Sequence, residues 1–196
     1  MAARVRGLDR RRIVVALPNL ISLARLLLAP VAIWLVITDQ RGAAFWIFLI
    51  AGISDGLDGF LARVCRARTE LGAWLDPLAD KLLLAGVFVA LGLTGILDAW
   101  IVTLVVTRDV FIIGGVVLLK TMDVNAADIT PTAISKVNTF FQIALVGMAL
   151  GDDVFPPDLA PAIDLLVWLV AATTALSGLV YMRRASRRLH EQTRAG

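Results

Sequence analysis

The sequence predicts an all-α, polytopic membrane protein with six transmembrane helices and room for a short N-terminal helix on the membrane surface. Three observations lead there. The 196 residues are 59% apolar and only 18% charged, against ~25% charged in an ordinary soluble domain. Apolar runs long enough for the ~30 Å hydrocarbon core recur along the whole chain. Basic residues gather in every second connection and are nearly missing from the others. Such a composition excludes a disordered chain and a disulfide-stapled scaffold. Cys65 is the one cysteine, so no intrachain disulfide can form, and the one histidine, His190, lies near the end. A histidine-based metal centre or a Ser-His-Asp triad is therefore not expected. Any metal must be held by carboxylates, which select hard divalent cations.

The six runs fall near 17–38, 43–65, 71–95, 99–120, 132–150 and 161–182. Gly95 to Asp98 divides the third from the fourth. Gly151, Asp152, Asp153, Pro156, Pro157 and Pro161 mark the break before the sixth. The first run is too long for a signal-peptide core, and no small-residue cleavage pattern interrupts it. Before it, residues 1–16 form a basic juxtamembrane segment with Arg4, Arg6, Arg10, Arg11 and Arg12. The stretch from Arg4 to Val15 is either a surface helix or a topology anchor alone. Residues 17–182 make the membrane domain, and residues 183–196 a basic tail.

Orientation follows from the loops. Arg63, Arg66 and Arg68, then Lys120 and Lys136, then Arg183, Arg184, Arg187, Arg188 and Arg194 all fall on the side of the N-terminus. The opposite loops hold Arg41 alone. The positive-inside rule then places both termini in the cytoplasm. A bacterial inner membrane is the expected location, with a mitochondrial inner membrane as the alternative. The net charge of +3 sits beside apolar segments, so the expected partners are anionic membrane lipids and not nucleic acid. Trp34, Trp46, Trp74, Trp100 and Trp168 lie mostly near run ends, as an interfacial belt requires.

Ionisable residues inside a bilayer cost ~2.5–3.5 kcal/mol each and need a reason. Asp55 and Asp58 are spaced i, i+3 on the second run, and Asp76 and Asp80 i, i+4 on the third. Each pair lies on one helical face, and both pairs fall toward the cytoplasmic side. Gly56, Gly59, Ala62, Gly72 and Ala73 are small enough to let helices and a ligand approach backbone. Four carboxylates so close require protonation or a divalent metal. Interhelical salt bridges are the plainer alternative, but they do not account for paired spacing with interleaved Gly and Arg.

The segment Asp55-Gly-Leu-Asp58-Gly59-Phe-Leu-Ala62-Arg63, then Gly72-Ala-Trp-Leu-Asp76-Pro-Leu-Ala-Asp80, resembles the CDP-alcohol phosphotransferase signature DxxDGxxARx8GxxxDxxxD at every fixed position. The resemblance implies a six-helix membrane enzyme with its site on the cytoplasmic side, commonly a homodimer. It implies two divalent cations, Mg²⁺ or Mn²⁺, on Asp55, Asp58 and Asp76, with Asp80 as general base and a possible further ligand. Gly59, Ala62 and Arg63 correspond to positions that hold the CDP moiety, and Gly72 to a packing glycine.

The signature fixes the donor type and leaves the acceptor open. Pro18-Asn19 with Arg25, Arg108-Asp109-Val-Phe-Ile-Ile-Gly-Gly, and Pro131-Thr-Ala-Ile-Ser-Lys136-Val-Asn138-Thr139 resemble the cardiolipin synthases of the mitochondrial and related bacterial type. That likeness implies CDP-diacylglycerol and phosphatidylglycerol as substrates, with Arg25, Arg108, Lys136 and Asn138 around the acceptor. Phosphatidylglycerophosphate synthases share the opening Pro-Asn and the Arg of the first run, so glycerol 3-phosphate is the alternative acceptor. Other roles exist for these residues. Lys136 would serve as a topology anchor, Arg108 as partner of Asp109, and Asn19 or Asn138 as a helix cap. A divalent-cation transporter is the competing class. Transporters show repeats and broken helices, and none is visible here.

Overall fold

A computed structural model describes the backbone of residues 21, 23–65, 70–121, 132–155 and 159–195, and the side chains of these except 55–65, 70–78, 116–121, 185 and 187–195. Among the described residues there are six helices and no strand. They are α1 (Leu23–Ile37), α2 (Arg41–Cys65), α3 (Glu70–Leu93), α4 (Ala99–Thr121), α5 (Ala133–Gly151) and α6 (Ala160–Ala195). Each predicted run falls on one of them. The last differs in extent, because α6 continues helically well beyond the apolar run that ends at 182. Its continuation is rich in Arg, Ala, Leu, Glu and Gln, all good helix formers that need no apolar surroundings. The N-terminal segment, with its possible surface helix, Pro18 and Asn19, lies outside the described residues.

The turns have local causes. Asp39 takes the left-handed conformation (φ 58°) between α1 and α2, and its carboxylate accepts a hydrogen bond from Arg41 Nε at 3.0 Å. Gly95, in the turn that follows α3, takes φ 76°, a conformation that glycine adopts without a steric penalty. Thr132 caps α5 by accepting from the Ser135 amide at 3.1 Å. Asp152 Oδ1 accepts from the Leu159 amide at 3.1 Å, just before α6.

The helices form two compact units. One contains α1, α2, α3 and Asp153–Phe155; the other contains α4, α5 and α6. In the first, α1 buries Arg25, Ala29, Ala32 and Val36 along one stripe, while Leu27 and Trp34 point outward. A Cβ on Gly86 of α3 would lie 2.5 Å from Ile33 Cδ1, so this glycine is what lets α1 press against α3. Arg25 meets Asp80, and further along Ile33 meets Gly86. Residue numbers rise together in these pairs, so α1 and α3 run parallel. Phe155 packs edge-on against Phe45 at 5.4 Å, and Arg41 pairs with Asp153 at 3.2 Å.

In the second unit, α5 buries Asn138, Gln142, Leu145, Val146, Ala149 and Leu150. The facing stripe of α6 is Leu166, Val170, Thr174 and Ser177. Asn138 bonds Thr174, and Ser135 and Ser177 share a partner, so α5 and α6 are antiparallel. Trp100 contacts Trp168 and Arg108 contacts Ser177, so α4 and α6 are parallel. In each unit the first and third helices therefore run parallel, as in an up-and-down bundle.

Outward-facing surfaces are apolar. Leu27, Phe111 and Trp168 are 64%, 73% and 68% exposed, an arrangement that soluble monomers avoid over large areas. Among the described residues, α5 and the Ala160–Arg184 part of α6 are long and apolar enough to cross a membrane.

Candidate functional site

The signature occupies α2 and α3. Helical backbone is continuous through Asp55–Asp58 and through Asp76–Asp80, so helical register puts each pair on one face. The side chains of Asp55, Asp58, Gly59, Ala62, Arg63, Gly72 and Asp76 lie outside the described residues. Asp80 is described. Its carboxylate is 43% exposed and forms an ion pair through Oδ1 with Nη1 of Arg25, whose own side chain is 1% exposed. Arg25, expected beside the acceptor, is directed by the fold at the last carboxylate of the signature. The signal was present in the sequence. Arg25 opens the i, i+4, i+7, i+11 stripe with Ala29, Ala32 and Val36, and so belongs to the inner face of α1.

The second unit holds another buried arginine. Arg108 is 9% exposed. Its Nη1 donates to Asp109 Oδ1 at 2.6 Å and its Nη2 to Ser135 Oγ at 2.6 Å. Nε donates to Ser177 Oγ at 3.2 Å, and Nη2 donates to the same oxygen. Four of its five N–H donors are engaged in this way. Tyr181 lies beneath the guanidinium, 6.0 Å from carbon to ring centroid. Lys136, the neighbour of Ser135, is exposed.

Asn138 is not a cap, since Thr132 takes that role. It sits in the second turn of α5 at 0% exposure, and its Oδ1 accepts from Thr173 and Thr174, each at 2.8 Å. Gln142, one turn on, is 2% exposed. Asn138 Nδ2 and Gln142 Nε2 are both buried with no hydrogen-bond partner among the described residues. Sequence reasoning missed Ser135, Gln142, Thr173, Thr174 and Ser177. Small polar residues are common glue between membrane helices, and only the pairing of α5 with α6 singles these out.

The chemical capacity of the first site is clear from its donor set. Carboxylates on two consecutive helices offer oxygen ligands only, which suits Mg²⁺ or Mn²⁺ and not a thiophilic metal. Among the described residues no group of three potential ligands occurs, and of the four signature carboxylates these include only the Asp80 side chain.

Residues 15–179 match the family described as CDP-alcohol phosphatidyltransferase. A chloroplastic CDP-diacylglycerol–glycerol-3-phosphate 3-phosphatidyltransferase of Oryza sativa is 36% identical over 84% of the chain and 55% of its own length. The human cardiolipin synthase (CMP-forming) is 34% identical over 84% of the chain and 60% of its own length. A probable cardiolipin synthase (CMP-forming) of Drosophila melanogaster is 30% identical over 89% of the chain and 59% of its own length. The chain therefore spans under two thirds of each of these relatives. The match covers all six helices in part or whole, including the complete carboxylate signature, and the chain belongs to the CDP-alcohol phosphatidyltransferase family.

Proposed function

We propose that the protein transfers a phosphatidyl group from CDP-diacylglycerol to phosphatidylglycerol, forming cardiolipin and releasing CMP. The observation that carries the transferase reading is the unbroken carboxylate signature on α2 and α3. The acceptor rests on likeness to relatives named cardiolipin synthase (CMP-forming). One specific observation favours a second acceptor: the rice relative, at 36% identity, is named for glycerol 3-phosphate. In this reading all six helices cross a bacterial inner membrane with both termini cytoplasmic, and two copies associate as a homodimer.

Asp55, Asp58, Asp76 and, in part, Asp80 would hold two divalent cations. When bound, such cations polarise the diphosphate and offset charge on the departing CMP. Gly59 and Ala62 leave space for the cytidine nucleotide, and Arg63 offers its fork to phosphate oxygens. Asp80 takes the proton from the acceptor hydroxyl as its oxygen attacks the phosphorus that carries diacylglycerol. The bond from that phosphorus to the bridging oxygen breaks, and CMP leaves with that oxygen. Lys136 contacts the phosphate of the acceptor, with Arg108 and Asn138 behind it. No covalent enzyme intermediate is required.

The test supplies CDP-diacylglycerol with phosphatidylglycerol or glycerol 3-phosphate separately and follows CMP and the lipid product. Cardiolipin formation is the expected result. Phosphatidylglycerophosphate without cardiolipin would transfer the assignment to the second acceptor. Divalent-cation uptake into vesicles with no CMP release would overturn the enzyme reading.

A further inference from the structure

A buried arginine in an apolar helix needs both a steric reason and an electrostatic one. The steric reason is the inner stripe of α1, where Ala29 and Ala32 are 4% and 0% exposed. These small residues, with Gly86 opposite Ile33, bring α1 close to α3. That approach sets the reach of Arg25 to Asp80, across 55 residues of sequence. The electrostatic reason is the carboxylate itself, because an arginine within a membrane helix must find an anion or pay its desolvation cost in full.

The exposures in this pair are unequal, at 1% for the arginine side chain and 43% for the aspartate. A ligand for a lipid phosphate needs its donors accessible, and Arg25 has them turned inward. A base needs its carboxylate accessible and its orientation fixed, and Asp80 meets both conditions. A planar guanidinium paired with Oδ1 restricts the side-chain torsions of the aspartate, whose side chain keeps 43% of its surface exposed. We propose that Arg25 is a positioning residue that holds the Asp80 carboxylate in the orientation needed to receive the acceptor's proton. This rests on the reading of Asp80 as the base.

The experiment compares wild type, Arg25→Met, Arg25→Lys, Asp80→Asn and the Arg25→Met/Asp80→Asn double variant. Met keeps the bulk of the buried side chain and removes the charge. For each, kcat, KM for both substrates, donor affinity by ligand-induced thermal shift and the unliganded melting temperature are measured. A misplaced base costs turnover by roughly 10–100-fold, so kcat of Arg25→Met should fall by that factor with both KM values and donor affinity unchanged. Arg25→Lys should recover part of the loss. The double variant should be no slower than Asp80→Asn alone, as holds for a residue whose catalytic effect passes through Asp80.

A rise in acceptor KM with kcat retained would make Arg25 an acceptor ligand and overturn the proposal. So would wild-type turnover in Arg25→Met, or additive losses in the double variant. If Arg25→Met does not accumulate, the kcat-against-KM split of Arg25→Lys decides in the same way. Absence of CMP release in wild type would instead refute the transferase reading, and wild-type turnover in Asp80→Asn would refute the base. Those failures are thereby distinguishable from failure of the proposal.

Discussion

Replacing Asn138 by Leu separates stability from function within one buried site. Asn138 accepts two hydroxyl bonds, from Thr173 and Thr174. Thr173 loses little when that acceptor goes, because its hydroxyl also reaches the carbonyls of Leu169 at 2.7 Å and Val170 at 3.2 Å. Thr174 is fully buried and loses a bond of the kind worth ~0.6 kcal/mol on average between membrane helices, ~1.7 at most. Against this stands the buried Nδ2, which has no partner among the described residues. Removing an unsatisfied buried donor returns about 1–3 kcal/mol. Leu is close to Asn in reach and fills the site with methyl groups. Asn138→Leu should therefore lie within about 1 kcal/mol of wild type, or above it. The assay is reversible unfolding in mixed micelles by denaturing detergent, with transfer activity measured on the same preparation. Retained stability with weakened acceptor use would mean that a costly donor is kept for the reaction. Destabilisation beyond about 2 kcal/mol would refute the reasoning, because it would show the amide to be fully paired.

Asp55→Asn and Asp76→Asn should abolish CMP release, and wild-type activity should vanish in chelator and return with Mg²⁺ or Mn²⁺; full activity in excess chelator would sink the two-cation reading. Asp80→Asn should keep donor affinity yet lose turnover, since an amide cannot accept the hydroxyl proton, as pre-steady-state CMP release would reveal. Lys136→Ala should raise acceptor KM by an amount equivalent to ~1.5–3 kcal/mol, the worth of one charge-assisted bond, with no change in melting temperature. Arg108→Met should instead lower stability by ~3–5 kcal/mol, the cost of stranding one member of a buried pair; equal melting temperatures for the two variants would contradict the burial of Arg108.

Most of the fold was legible because hydropathy and the turn residues agree along the chain. The runs end where Asp39, Gly95, Thr132 and Asp152 supply local reasons for a turn or cap. The extent of α6 was not legible, because hydropathy marks where a helix leaves the membrane and not where its hydrogen bonding stops. The signature was legible as spacing, since i, i+3 and i, i+4 carboxylates declare a common face without knowledge of any neighbour. The partners of Arg25 and Arg108 were harder. Asp109 is adjacent in sequence and was foreseeable. Asp80, Ser135 and Ser177 depend on which helices pack together and in which direction, and that is decided by Gly86 against Ile33 and by the α5–α6 seam. The hydroxyls of Thr173 and Thr174 carried no distinguishing mark, since either could have satisfied its own helix carbonyl.

The two units solve one electrostatic problem in the same way. Each contains an arginine on its inner side, paired with an aspartate that is more open: 1% against 43% for Arg25 and Asp80, and 8% against 24% for Arg108 and Asp109. Stability alone does not require this, because well-packed apolar residues replace buried ion pairs at no cost or with a gain. The asymmetry also runs against what phosphate binding by these arginines would need, since both guanidinium groups are turned inward and four donors of Arg108 are taken. Lys136 is different in kind, an exposed ammonium one residue from Ser135. The division of labour that follows is physical. Long, rigid, multiply bonding guanidinium groups fix polar side chains inside apolar helices, while the more open carboxylates and the exposed lysine keep polar atoms at the surface of their own unit.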